Sequence, residues 1–160
     1  MATATDVTLA APLRLLLRIP VPWVFVLAYL AGVAIERLRP TTVLAGHAAI
    51  GAAVFVVGAL IAGWGLLTFK KARTTTVPGE ASSSLVTWGP YGFSRNPMYV
   101  GLTIAYLGEA GILQQVWPVV LLPLTLAYVN WIVIPVEEHK LLEVFNGTYE
   151  QYQQRVRRWI

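Results

Sequence analysis

Leu85-Val-Thr-Trp-Gly-Pro-Tyr-Gly-Phe-Ser-Arg-Asn-Pro-Met-Tyr-Val-Gly101 is a polar stretch, punctuated by Gly and Pro, inside an otherwise apolar chain. Its second half reads as a helix start. Asn96 can accept hydrogen bonds from the first free backbone N–H groups, and Pro97 suits the first helical position, where its missing N–H would lack a partner anyway. Gly89-Pro90 is a turn signal. The stretch predicts an ordered loop at the mouth of a buried helix, and long ordered loops beside hydrophobic helices usually carry function.

The totals agree with that reading. The 160 residues allow one domain, taken here as 1–160. At 56% hydrophobic and 12% charged, the chain is too apolar for an ordinary soluble domain. It has no cysteine, which excludes disulfides, thiolate metal sites and a thiolate nucleophile. The net charge is +4, and the basic residues stand beside apolar runs. That placement points to anionic lipid headgroups as partners and not to nucleic acid. Residues 1–12 lack the cationic start of a signal peptide.

Working outward, residues 1–18 form a short arm whose leucines, with Arg14 and Arg18, suit a membrane surface. A first span runs from about Ile19 to Leu38, with Trp23 as a headgroup-level anchor and Glu36, Arg37 and Arg39 closing it. A second, from about Val43 to Phe69, carries small residues four apart: Ala48 and Ala52, Gly58 and Ala62, Ala59 and Gly63. Such pairs let a neighbouring helix approach closely. Residues 70–96 form the polar loop. A third span, from Pro97 to about Leu113, and a fourth, from about Trp117 to Val136, are joined by a short turn at Gln114-Gln115 and predict an antiparallel hairpin. Pro123 predicts a kink in the fourth span. Beyond Pro135 an apolar stripe of Leu141, Leu142, Phe145, Tyr149, Tyr152, Val156 and Trp159 marks one helix face, with a break at Asn146-Gly147. The expected fold is an all-α membrane protein of about four transmembrane helices, with a cytosolic loop and C-terminal amphipathic helices folding back on it.

The basic residues orient this scheme. With the N-terminus inside, Arg14, Arg18, Lys70, Lys71, Arg73, Arg95, Lys140, Arg155, Arg157 and Arg158 are all cytoplasmic, and only Arg37 and Arg39 lie outside. That asymmetry follows the positive-inside rule. It places both termini in the cytoplasm and the loop and C-terminal segment on one face.

Several residues in this frame are suited to chemistry. Glu137-Glu138 stands where the fourth span meets the cytoplasm, and two adjacent carboxylates there are costly unless paired or hydrated. They are read either as an interfacial pair, solvated or bridged to Lys140 or Arg95, or as a receptor for a cationic ligand group. Glu109 is expected to pair with Arg37 or Arg39 across the helix ends. Asn130 is expected to make an interhelical hydrogen bond. His47 and His139, on opposite faces, do not make a metal site.

Taken together, Leu85-Val86, Gly89-Pro-Tyr91, Arg95-Asn-Pro-Met-Tyr99-Val-Gly101, Glu137-Glu138 and Tyr149-Glu-Gln-Tyr152-Gln-Gln-Arg-Val156-Arg-Arg158 resemble the isoprenylcysteine carboxyl methyltransferase family and its phospholipid methyltransferase relatives. The resemblance covers about residues 69–160. It implies an integral membrane enzyme that binds S-adenosylmethionine at the cytosolic face and methylates a lipophilic acceptor, such as an isoprenoid carboxylate or a phospholipid amine. Cofactor contacts carry over onto Ser83, Ser84, Leu85, Val86, Tyr91, Asn96, Pro97, Met98, Tyr99, Glu137 and Glu138, and the catalytic basic position onto Arg158. The family commonly has His at the position of Asn96. Members acting on prenylated proteins carry an Arg at the position of Val133.

Physical reasoning supports that assignment. Glu137 can pair with the cofactor's ammonium, the start of the third span can receive its carboxylate, and Tyr91 and Tyr99 can face adenine or sulfonium. Arg158 would orient an anionic acceptor. The competing readings are an NADPH-dependent membrane reductase of steroid-reductase-like layout and a non-enzymatic membrane protein. Short loops suggest a prokaryotic plasma membrane.

Overall fold

The computed structural model describes residues 20–41, 46–72 and 84–160. The N-terminal arm, Arg14, Arg18, Val43, Arg73 and Ser83 lie outside the described residues. Among the described residues, every regular element is helical: α1 (Val21–Leu38), α2 (Ala48–Lys71), a 3-10 turn (Gly89–Gly92), α3 (Pro97–Ile112), α4 (Trp117–Tyr128), a π-turn (Val129–Val133) and α5 (Ile134–Arg155). The last three form one helical rod that is kinked at Asn146.

Among the described residues, three helical stretches are long and apolar enough to cross a membrane: Val21–Leu38, Ala48–Lys71 and the rod Trp117–Arg155. Helix α3 falls short. Its 16 residues rise about 24 Å, less than the roughly 30 Å of a hydrocarbon core. Asn96-Pro97 opens it and the Gln114 turn, at φ 57°, closes it, so among the described residues the count of spanning helices is three and not four. Side chains facing outward are those lipid accepts, including Leu27, Leu30, Val56, Leu60, Leu124 and Trp131, all exposed. Trp23 also points outward. The chain is an integral membrane protein.

Helices α2 and α3 are antiparallel and touch backbone to backbone. A Cβ added to Gly58 would meet the Ala105 nitrogen and lie 2.7 Å from the Gly101 carbonyl oxygen, and one on Gly51 would lie 2.6–2.7 Å from atoms of Gly111 and Gly108. At Gly65 the obstacle is Met98 Cγ, 2.7 Å away. The seam thus follows residues seven apart on α2, with Gly101, Ala105 and Gly108 opposite. Of the expected small-residue pairs only Gly58/Ala62 lies on it. Ala52 and Ala59 are exposed, and Gly63 has nothing within 4 Å.

The second tight pairing is α1 with α4, where a Cβ on Gly32 would lie 2.6 Å from Pro118. Glu36 fastens their ends. Its Oε2 accepts from the backbone N–H groups of Val116 (2.9 Å) and Trp117 (3.1 Å), and its Oε1 from the Thr41 N–H and hydroxyl. The carboxylate thereby supplies acceptors at the start of α4, where backbone N–H groups have no helical partner. Glu109 makes no ion pair with Arg37 or Arg39 among the described residues; Glu36 provides the tie instead. Phe25, Tyr29 and Tyr106 fill the space between α1 and α3 edge-to-face, at centroid distances of 6.3 and 5.0 Å.

The α3–α4 hairpin is present, but its two helices pack loosely on each other. Each helix is drawn to a different partner, α3 to α2 and α4 to α1, which opens a groove between them. The rod continues through Pro135 without the change of element read from the sequence. Pro135 has no N–H to give the carbonyl four residues back, and the π-turn just before it accommodates that defect. The break at Asn146 is present, with φ 41° and ψ −124°. It lets the last helical turns fold back, so that Tyr149, Tyr152 and Val156 pack with Leu85, Leu141, Leu142 and Phe145.

The seam yields a contrast. Gly58→Ala should lower stability by about 1–3 kcal/mol through overpacking. Gly63→Ala, on the same helix with open space around it, should change it by less than about 0.5 kcal/mol. Thermal unfolding of both variants in nanodiscs reads the difference, and equal effects would contradict the seam.

Candidate active site

The polar site forms where α2 ends, α3 begins and the rod emerges from its apolar portion. The 3-10 turn delivers Tyr91 into it. Gly89, at φ 63°, makes the turn that a side chain would strain. Tyr91 is 4% exposed and its ring meets Phe69 edge-on at 5.0 Å. Its carbonyl accepts the Tyr152 hydroxyl at 2.7 Å, while its own hydroxyl has no partner. Burial, with smaller effects from Tyr152 and Glu137, pushes that hydroxyl well above the usual tyrosine range, so it is a neutral donor. A buried donor without an acceptor is uncommon and marks a place where something can bind.

Helix α3 supplies the next residues. Pro97 holds the first helical position as expected. Asn96 does not cap with its side chain. Its carbonyl accepts from Tyr99 N–H (3.0 Å) and Val100 N–H (3.1 Å), while its side-chain amide donates to the Arg158 carbonyl at 2.9 Å. The Ser94 hydroxyl accepts from the Asn96 N–H at 3.0 Å. Asn96 therefore anchors the C-terminal tail. With two N–H groups of the first turn already bonded, the helix start offers an anion less than its sequence suggested.

The acidic pair divides its work. The Tyr99 hydroxyl donates to Glu137 Oε1 at 2.7 Å, which fixes that carboxylate and leaves its other oxygen without a hydrogen bond from a described residue. Glu138 is gripped by two arginines: Arg158 donates from Nε (3.2 Å) and Nη2 (2.6 Å), and Arg95 Nη2 stands 3.2 Å from Oε1. Of the alternatives read from the sequence, Glu138 takes the bridge to Arg95, while Glu137 is bonded to Tyr99 and to neither arginine. Arg158 is already paired, whereas Nε and Nη1 of Arg95 are buried without acceptors. Sequence reasoning had cast Arg95 only as a bridge; its place directly before Asn96-Pro97 was the signal that could have marked it as a site residue.

The remaining assigned residues border this cluster. Ser84 donates to the Ala72 carbonyl at 3.3 Å. Leu85 packs against the Tyr149 cluster and Val86 is buried. Met98 lies against Gly65. The tail after α5 runs beside the loop, with Arg95 N–H donating to the Arg157 carbonyl at 2.9 Å. Trp159 Nε1 donates to Asn130 Oδ1 at 2.9 Å, so the expected bond of Asn130 exists but reaches the tail and not another helix.

Asn130 and Trp159 also line the groove between α3 and α4. It encloses about 650 Å³ and is walled by Val100, Thr103 and Ile104 on one side and Pro123, Leu126, Ala127 and Trp131 on the other. Thr103 turns its hydroxyl back to the Tyr99 carbonyl at 2.8 Å, which leaves the wall apolar. Sequence reasoning did not single out these residues, because a groove between diverging helices has no linear signature.

The two buried tyrosines should respond oppositely to loss of a hydroxyl. Tyr91→Phe removes an unpartnered group and should leave ligand-free stability unchanged or slightly raised. Tyr152→Phe breaks a buried hydrogen bond and should cost about 1 kcal/mol. Denaturation of both variants in the same detergent checks the sign, and a destabilised Tyr91→Phe would mean its hydroxyl has a partner.

A model of the phospholipid methyltransferase family matches residues 47–148, well over half of the chain. Comparisons with curated proteins and with solved structures returned no match. The matched range runs from the start of α2 past the kink in α5 and contains Tyr91, Arg95, Tyr99, Glu137 and Glu138. The chain belongs to the phospholipid methyltransferase family, integral membrane methyltransferases related to the isoprenylcysteine carboxyl methyltransferases.

Proposed function

We propose that this protein transfers a methyl group from S-adenosylmethionine to a lipophilic acceptor that reaches the site along the groove between α3 and α4. The observation that carries the reading is the Glu137 carboxylate, held by Tyr99 beside the orphaned hydroxyl of buried Tyr91, inside the range matched to the family. These groups fit the donor. Glu137 pairs with an ammonium, and Tyr91 supplies a neutral donor and an aromatic edge beside it. Glu138, fully engaged by Arg95 and Arg158, acts as a brace.

The donor brings a methyl carbon already activated by its sulfonium, so the chain contributes alignment and a dry site in place of strong acid–base chemistry. Tyr99 fixes the Glu137 rotamer, the seam between α2 and α3 fixes Tyr99, and the tail closes the polar end. Lys70, Lys71, Arg95, Lys140, Arg155, Arg157 and Arg158 gather toward this end of the sequence topology, which supports a cytosolic site. The apolar groove walls favour an isoprenoid or acyl chain on the acceptor.

Calorimetry with S-adenosylhomocysteine tests the reading. Glu137→Gln keeps the shape and removes the charge, and should weaken binding by tenfold or more, the scale of a lost charge-assisted hydrogen bond. Glu109→Gln, near the opposite end of α3, should bind as the parent does. Equal affinity of Glu137→Gln and parent would sink the assignment. Binding of NADPH in place of the homocysteine compound would turn the reading to a reductase.

A further inference from the structure

We propose that Arg95 is an oxyanion receptor: its Nε–H and Nη1–H groups hold a carboxylate or phosphate group of a bound ligand. The inference deepens the methyl-transfer reading and rests on it for the site, but not for the charge of what binds there.

The case starts from valence. An arginine offers five N–H donors and no acceptor. The Arg95 side chain is only 12% exposed, and one nitrogen, Nη2, faces Glu138 at 3.2 Å. Nε and Nη1 are buried and meet no acceptor. Leaving a buried charged donor unmet is costly, and native proteins seldom do so without a functional reason.

Charge makes the same point. Arg95 and Arg158 share one carboxylate, Glu138, so the cluster carries an excess positive charge. Glu137, the nearest carboxylate along the chain, bonds to Tyr99 and to neither arginine. An oxyanion at Arg95 would balance these three groups, and the ammonium of a zwitterionic ligand would balance Glu137.

The two arginines are not equivalent. Arg158 grips both oxygens of Glu138 through Nε and Nη2 and is 34% exposed on its side chain. Arg95 is the more buried, the less satisfied and the better held. Its own N–H is bonded to the Arg157 carbonyl, and the side chain of neighbouring Asn96 to the Arg158 carbonyl. The tail thus presets the loop that carries the guanidinium, and a preset guanidinium forms its bonds to an oxyanion at little entropic cost. The sequence reading placed Arg158 to orient an anionic acceptor; in this proposal Arg95 takes the anion, with Arg158 and Glu138 as its frame.

The oxyanion has two possible sources, the carboxylate of the methyl donor or an anionic headgroup of the acceptor. The full chain in nanodiscs of zwitterionic lipid separates them. Parent, Arg95→Leu and Arg95→Lys are titrated with S-adenosylhomocysteine and with its decarboxylated analogue, which keeps the ammonium. They are then compared for oleate against oleyl alcohol by native mass spectrometry. Arg95→Lys keeps the cation beside Glu138 and lacks the Nε and Nη1 donors, so it reports even if Arg95→Leu fails to fold. A tenfold or greater loss for S-adenosylhomocysteine, with the analogue unchanged, assigns the oxyanion to the donor. Unchanged donor affinity with lost preference for oleate assigns it to the acceptor. A parent that binds no adenosyl compound defeats the methyl-transfer reading, and the oleate comparison still judges Arg95. Folded Arg95→Lys indistinguishable from the parent in both comparisons, or a parent indifferent to both carboxylates, overturns the proposal.

Discussion

The contact between the backbones of α2 and α3 is the constraint on which the rest depends. In lipid, helices gain little from burying apolar side chains against each other, and close packing supplies the attraction. Gly51, Gly58 and Gly65 meet Gly111, Gly108, Gly101 and Met98 at distances no larger side chain would permit. That fit fixes where α3 begins relative to the end of α2. It therefore sets Tyr99 under Glu137 and the 3-10 turn over Phe69. It also commits α3 to α2, so α4 pairs with α1 and the groove opens on the remaining side. One seam of small residues thus shapes both the polar site and the apolar approach to it.

The polar site has to survive beside lipid, and it does so by internal pairing. Glu138 lies between two arginines, Glu137 under a tyrosine hydroxyl, and the loop carbonyls and N–H groups are joined by the tail. What is left over is specific: one carboxylate oxygen, one phenol and two guanidinium nitrogens. Fully satisfied partners make a rigid frame, and the few unsatisfied ones define what the frame can hold. Glu36 performs the corresponding structural task at the other end, where four donors converge on one carboxylate.

Much of this was legible in the sequence. Apolar runs marked the helices, Asn96-Pro97 the start of α3, and the aromatic stripe the face that packs on Leu85. The acidic pair and the Tyr91 and Tyr99 positions were recognisable through their combined pattern. Other features depended on geometry that no spacing encodes. Asn96 looked like a cap because Asn usually is one, yet a tail carbonyl more than sixty residues away competes for its amide. Small residues four apart suggested three packing pairs, but the helix rotation selected a seven-residue seam. The turn at Gln114 implied an antiparallel hairpin, and only the stronger pairings elsewhere set its two helices apart. Arg95 and Arg158 are both basic residues near one site, and only their hydrogen bonds show which has donors to spare.

The most direct measurement of the central claim is transfer of a tritiated methyl group from S-adenosylmethionine into extractable lipid by the protein in nanodiscs made from a total lipid extract. The account predicts label in the organic phase that depends on the protein and falls at least tenfold in Glu137→Gln. Label that stays in the aqueous phase, although the parent binds the donor, would contradict a lipophilic acceptor. Label that reaches lipid equally well in Glu137→Gln would contradict the site.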